Sequence, residues 1–441
     1  MQLIQLRTTI NRIIRHIDWK VWHGRIVVWC AAIAAAITIV LFAKLVDGVI
    51  NEFNSLRRLY WWSPLILTTF GGMVIAYLTR KWFAGSEGSG IPQVIAALQM
   101  SESESDKSAL VSIRIAIGKI FLGAAALLAG FSSGREGPSV QVGASIMYEF
   151  RRFLPKRFPV TAHHLLLAGG AAGIAAAFNT PLAGIVFAIE ELGKKFEERT
   201  NGVLLTAIIL AGVIAISVQG NYTYFGRLAV DKVSRDLFLP ILMAGLICGL
   251  SGGLFSRVMV MASKPWPGFA GFIKSRHPII FAGICGLIVA LLGLASNGLV
   301  HGSGYTATQQ ALEGDTALPF LFAFEKMLAT LVSYFAAIPG GIFAPSLAVG
   351  AGLGQDLFHL GLGHISGTAW MALCMAGFLA AVTQAPITSF VIVMEMIDGH
   401  AMVISLIAVA FIANFISKLL CPPLYHTLAG KYLGKADTHK T

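Results

Sequence analysis

Uncharged apolar stretches recur along almost the whole chain, and they fix what it can fold into. Residues 26–43, 62–79 and 202–218 contain no charged side chain. As helices rising about 1.5 Å per residue, such stretches match a bilayer core roughly 30 Å thick. Further apolar segments fill 109–130, 138–150, 162–192, 236–262, 278–299, 318–337, 342–363, 368–397 and 401–420. One such segment could be a buried core helix of a large soluble protein. Their recurrence, with only 12% of residues charged against about 25% in soluble domains, excludes an ordinary water-facing surface. The expected class is an all-α, multi-pass integral membrane protein.

Several segments are too short for a full crossing or are cut by glycine and proline, as at Gly134 to Pro138, Pro181, Pro339 to Pro345, and Pro386. Interrupted helices at membrane depth are tolerated only inside protein or along a cavity. Many tilted and broken helices around a transport site are therefore expected. The chain also repeats itself. PSVQVGA at 138–144 matches PSLAVGA at 345–351, a separation of 207, and AAAFNTPLAGIVFAIE at 175–190 matches AAVTQAPITSFVIVME at 380–395, a separation of 205. Two matches at nearly one separation imply two related membrane halves, 26–230 and 231–428, with an N-terminal segment 1–25 and a short tail 429–441. Transporters built from repeats hold substrate between the halves near the midplane.

The net charge of +11 does not mark a nucleic-acid binder, because of where it falls. Arg7, Arg12, Arg15, Lys20 and Arg25 precede the first apolar run; Lys431, Lys435 and Lys440 follow the last; Arg151, Arg152, Lys156 and Arg157 mark a loop. Positive flanks lie on the cytoplasmic side, so both termini are expected there. Leu3, Leu6, Ile10, Ile13, Ile14 and Ile17 recur at helical spacing, which fits a helix lying on the membrane surface better than a nucleic-acid arm. The cysteines, Cys30, Cys248, Cys285, Cys374 and Cys421, form no C-x-x-C pair and read as free thiols rather than a disulfide or zinc framework. The first apolar run is too long and too far from the start for a cleavable signal peptide.

Three glycine-proline clusters carry the chemistry: Gly88-Ser89-Gly90-Ile91-Pro92, Gly134-Arg135-Glu136-Gly137-Pro138, and Gly340-Gly341-Ile342-Phe343-Ala344-Pro345. Each ends in a proline that opens an apolar segment, and proline suits the first turn of a helix. The clusters thus present helix N-termini with free backbone N–H groups, which suit an anion. One terminus contributes about 1–2 kcal/mol when partly buried. A bare ion in a low-dielectric medium costs on the order of tens of kcal/mol, so several termini and hydroxyl donors must converge. Nucleotide binding is disfavoured, since neither G-x-x-x-x-G-K-[ST] nor a strand-linked G-x-G-x-x-G occurs. Close helix packing explains a single cluster of glycines but not three ending in proline.

These clusters, with Tyr425 in Pro422-Pro423-Leu424-Tyr425, resemble the signature of the CLC chloride channel and transporter family over about residues 85–428. The resemblance implies the CLC inverted-repeat fold and a homodimer with one pathway per subunit. It also implies a bacterial inner-membrane location, with chloride and protons as transported ions and no cofactor. It assigns chloride binding to the Ser89 and Tyr425 hydroxyls and the amides of Ile342 and Phe343, with Arg135 and Gly137 beside them. A serine here, rather than proline, goes with chloride rather than nitrate. Glu136 is implied as the external gate and proton carrier, and Glu191, the second of the pair Glu190-Glu191, as the internal proton-transfer residue.

A carboxylate between two glycines at a helix start in a membrane is a functional candidate in its own right. A surface salt bridge with Arg135 is the plainer reading of Glu136, and pairing with Lys194 or Lys195 that of Glu191. Arg114, Lys119, Glu325, Lys326 and Glu395 also lie in apolar surroundings. Glu325 and Lys326 read as structural, as does Glu395, the repeat partner of Glu190; Arg114 and Lys119 are expected to snorkel or to pair with acids. The expected function is chloride/proton antiport, with a passive chloride channel as alternative, and Glu191 separates the two because many channels resemble a valine there. An intramembrane hydrolase built on His301-Gly302-Ser303-Gly304 is a remote third reading, for a loop expected to be exposed and without a paired base.

Overall fold

The computed structural model describes residues 19–100, 107–156, 158–193, 201–220, 223–226, 237–361 and 365–438. All regular elements among them are helical, apart from isolated bridges pairing Gly88 with Pro339 and Gly134 with Gly341. Among the described residues, five helices are long and apolar enough to cross a membrane: Val21–Leu59, Gly202–Gln219, Phe238–Ala262, Pro278–Ala295 and His400–Leu420. Their outward faces carry large apolar side chains such as Leu41, Leu254, Ile404 and Phe415, which a lipid surround accepts and water does not.

Two shorter helices, Ala162–Phe178 and Gly367–Thr383, are apolar on every side and buried through nearly their whole length. A helix without a polar face belongs at the centre of a bundle. Each ends on a residue in the left-handed conformation, Asn179 at φ 59° and Gln384 at φ 58°, and a proline then opens Pro181–Phe187 and Pro386–Ile397. The breaks read from the sequence at Pro181 and Pro386 are thus helix starts that follow closely on a left-handed residue closing a buried helix.

Small residues set the spacing around this centre. A Cβ on Gly143 would lie 2.3 Å from the Gly169 carbonyl oxygen, and one on Gly173 2.6 Å from that of Ser139. The helix Glu136–Glu149 therefore touches Ala162–Phe178 backbone to backbone. In the second half, Gly350 and Gly354 hold Phe343–His359 against Gly367–Thr383 in the same way, each 2.5 Å from a carbonyl oxygen by the same measure.

The glycine clusters are tied to one another. Gly134 and Gly341 exchange both backbone hydrogen bonds at 2.8 Å, Gly88 donates to Ile338 at 3.0 Å, and Gly340 donates to Gly88 at 3.0 Å. Repeat partners also exchange helix caps. The Glu190 carboxylate accepts from the amides of Ile387 and Thr388, and that of Glu395 accepts from Leu182 and Ala183.

Some expectations change at the chain ends. Residues 19–25 belong to the long helix Trp19–Leu59, while the remainder of the N-terminal segment lies outside the described residues. In the short tail, residues 429–438 continue the helix Leu424–Thr438. All five cysteines are free.

Candidate functional site

Each glycine cluster becomes a helix start as the sequence suggests. Ile91–Gln99 follows Gly90, Glu136–Glu149 follows Arg135, and Phe343–His359 follows Ile342. First-turn amides have no intrahelical acceptor, so each of these starts offers backbone donors. Gly88 at φ 64° and Gly90 at φ 102° take left-handed conformations that an L side chain disfavours. Gly137 is required for space, since a Cβ there would meet Ser89 Oγ at 2.4 Å.

The structure brings Ser89, Glu136, Gly137, Ile342, Phe343 and Tyr425 together. The hydroxyls of Ser89 and Tyr425 are close enough to interact, yet neither makes a hydrogen bond of regular geometry. The Tyr425 ring stacks on Phe343 at 6.3 Å with an interplanar angle of 4°, which fixes where its hydroxyl points. The Glu136 side chain is fully buried and turned back between two helix starts. A Cβ on Gly134 would meet Glu136 Oε2 at 2.2 Å and Pro345 Cδ at 3.1 Å. The carboxylate faces the amides of Glu136 itself and Ala344, with regular hydrogen-bond geometry at neither oxygen.

Orphaned polar atoms this deep are costly, about 1–3 kcal/mol each. Two hydroxyls and a carboxylate without regular hydrogen bonds, beside helix starts, suit an exchangeable anion better than a permanent packing role. Glu191 is buried at 4% exposure in the widened turn Ala188–Leu192, within electrostatic reach of Tyr425. Lys194 and Lys195 lie outside the described residues.

Arg135 pairs with Asp47 at 2.5 Å and donates to the Ala43 carbonyl at 2.9 Å. Glu136 itself is buried rather than in a surface turn, and the Arg135 guanidinium reaches Asp47 on the side where both residues line a cavity. A cavity of about 370 Å³ opens there, lined among others by Asp47, Arg57, Arg135, Glu136, Tyr224 and Ser303.

Three of the intramembrane cations hold backbone rather than acids. Lys119 Nζ donates to Ser86 at 2.8 Å and Gly88 at 2.7 Å, clamping the Ser89 loop. Lys326 Nζ donates to Val300 at 2.9 Å and Gly302 at 2.7 Å. Arg114 donates to the Trp82 carbonyl. Gln93 accepts from the Gly90 amide and donates to the Glu87 carbonyl, closing the same loop without charge. The loop at 301–304, expected to be exposed, is largely buried. His301 contacts the Gly130 carbonyl through Nδ1 and crowds Gly293 through Nε2, so neither nitrogen serves Ser303 as a base.

Sequence reasoning missed Asp47, Tyr224 and Ser303 as cavity residues. The available signal was a further repeat, Gly88-Ser89-Gly90 against Gly302-Ser303-Gly304 at a separation of 214.

A family model described as voltage gated chloride channel matches residues 71–418. The H(+)/Cl(-) exchange transporter ClcA of Klebsiella pneumoniae strain 342 is 31% identical over 423 residues, covering 91% of this chain and 87% of that protein. ClcA of Salmonella typhi is 29% identical, covering 89% and 84%. In fold, the chain superimposes on a slow cyanobacterial Cl-/H+ antiporter with TM-score 0.81 at 24% identity, covering 93% of this chain and 99% of that one. A CLC-type fluoride/proton antiporter gives TM-score 0.75 at 24% identity, covering 92% and 97%. With a family model matched across most of its length and relatives aligned nearly end to end, the chain belongs to the voltage-gated chloride channel (CLC) family of integral membrane transport proteins.

Proposed function

We propose that the protein is a secondary active transporter exchanging chloride for protons. The observation that carries this reading is the convergence, in one buried region, of the Ser89 and Tyr425 hydroxyls, the starts of two helices and the Glu136 carboxylate. Chloride is the anion, held by the two hydroxyls and the amides of Ile342 and Phe343. Hydroxyls and helix ends hold it by partial charges, so that it also leaves. Glu136 competes for the same donors when ionised and withdraws when protonated, which makes it both gate and proton carrier. Glu191 hands protons to the opposite side; its burial and its nearness to Tyr425 support that role. Arg135 acts through its backbone and its ion pair with Asp47 rather than as a direct chloride ligand.

The halves 26–230 and 231–428 form the functional repeat, and the reciprocal caps of Glu190 and Glu395 support this division. The protein works as a homodimer in the bacterial inner membrane with both termini cytoplasmic. Since every donor of the site comes from one chain, each subunit carries its own pathway. The test is proton movement by purified protein in liposomes under an imposed chloride gradient. Uphill proton uptake is expected; chloride flux without it would reject antiport in favour of a passive channel. Repeating the assay with fluoride checks the choice of anion.

A further inference from the structure

We propose that the cavity beside Glu136 holds a second anion site, built from the hydroxyls of Ser303 and Tyr224 at the start of the helix Tyr305–Glu313. It takes a halide-sized anion before Glu136 yields. The proposal rests on the reading of Ser89 and Tyr425 as anion donors, whose counterparts in the repeat these residues are.

The two serine loops share their construction. Gly302 and Gly304 have φ of 66° and 84°, against 64° and 102° for Gly88 and Gly90. Each loop leads directly into a nine-residue helix. Each is clamped by a buried lysine, and these lysines, Lys119 and Lys326, lie 207 positions apart. The tyrosines correspond as well. Tyr425 follows the helix Val403–Leu420 and Tyr224 follows Asn201–Gln219, 201 positions apart. Tyr425 stacks on Phe343; Tyr224 shares the cavity with Glu136. Phe343 and Glu136 stand at the same place in their clusters, two residues before the proline.

The donors on the cavity side are unspent. Tyr224 is 3% exposed, and its ring is held by Phe178, Phe225 and Tyr305. The Phe225 amide anchors the turn on the Met396 carbonyl at 2.9 Å. The Tyr224 hydroxyl opens on the cavity and has no hydrogen-bond partner among the described residues. Ser303 Oγ accepts from the Tyr305 amide at 3.3 Å, which leaves its own proton to donate. Arg57, Arg58 and Arg135 line the cavity against two acids, Asp47 and Glu136, and Asp47 is already paired with Arg135. The surplus is positive, and it concentrates anions at the cavity.

The test is anomalous diffraction from crystals of the full-length protein soaked in bromide. Wild type should show one peak near Ser89 and Tyr425 and another between Ser303 and Tyr224. The double variant Ser303→Ala/Tyr224→Phe should lose the second and keep the first. If the double variant does not fold, Ser303→Ala alone should raise the bromide concentration that half-fills the second site roughly tenfold, the loss of one charge-assisted hydrogen bond. A first peak without a second in wild type overturns this proposal and leaves the antiport reading standing. A second peak that survives the double variant overturns it as an adventitious ion only. A second peak without the first supports it while rejecting Ser89 and Tyr425 as the principal site.

Discussion

Glu190 and Glu395, 205 positions apart, each cap the helix that leads to the other. Glu190 closes the segment opened by Pro181 and accepts from Ile387 and Thr388; Glu395 lies near the end of the segment opened by Pro386 and accepts from Leu182 and Ala183. Removing either carboxylate strands two amides where lipid offers no replacement acceptor. Glu190→Ala and Glu395→Ala should each lower stability in detergent by about 1–3 kcal/mol. The double variant should cost less than the sum, because both caps join the same pair of segments. Denaturation midpoints of the four proteins check this; strict additivity would contradict it.

Glu136→Ala should leave chloride flux in place and abolish proton coupling, together with the pH dependence of transport, since the group proposed to alternate with chloride is gone. Parallel chloride-efflux and proton-uptake traces from the same liposomes decide the matter. Coupling that survives the substitution would remove Glu136 from the proton route.

Glu191→Gln keeps the size of the side chain but cannot ionise. Chloride movement should continue while proton movement stops. The informative measurement is the reversal potential under opposed chloride and proton gradients, expected at the chloride equilibrium value. Persistent proton pumping would place the internal transfer step at another residue.

Gly169→Ala should destabilise the fold strongly, because the new Cβ would sit 2.5 Å from the Gly143 carbonyl oxygen and 2.8 Å from Ala144 Cα. Overpacking of this kind costs about 1–3 kcal/mol or more. Gly48→Ala, with nothing within 4 Å, should be neutral or stabilising by up to about 1 kcal/mol from helix propensity. Thermal stability in detergent separates the two. Equal effects would mean that backbone contact between these central helices is not what the glycines provide.

The glycine-proline clusters were legible because those residues carry their instruction in the backbone: φ at Gly88 and Gly90, and the helix starts before Pro138 and Pro345, follow from residue type alone. Membrane class and the broken helices at Pro181 and Pro386 followed from apolar length and proline. Partners of buried charges were not legible. Asp47 meets Arg135 across 88 positions, and Lys119 and Lys326 hold carbonyls, which every residue possesses and no sequence marks. The kinship of Ser303 with Ser89 escaped because its separation of 214 departs from the 205 and 207 of the other repeats, as happens when a connecting loop differs in length between halves. Ser89 and Tyr425 needed the family resemblance, because a lone serine in a turn and a lone tyrosine near a chain end have ordinary explanations.

The two backbone bonds exchanged by Gly134 and Gly341 work like a rivet through the middle of the molecule. They pin the starts of the helices Glu136–Glu149 and Phe343–His359 beside the proposed ion route, so swinging one half against the other would shear them and strand their groups in an oily interior. With the frame pinned, the proposed gate reduces to the buried Glu136 side chain, and a valve of that size would open without the surrounding scaffold being dismantled.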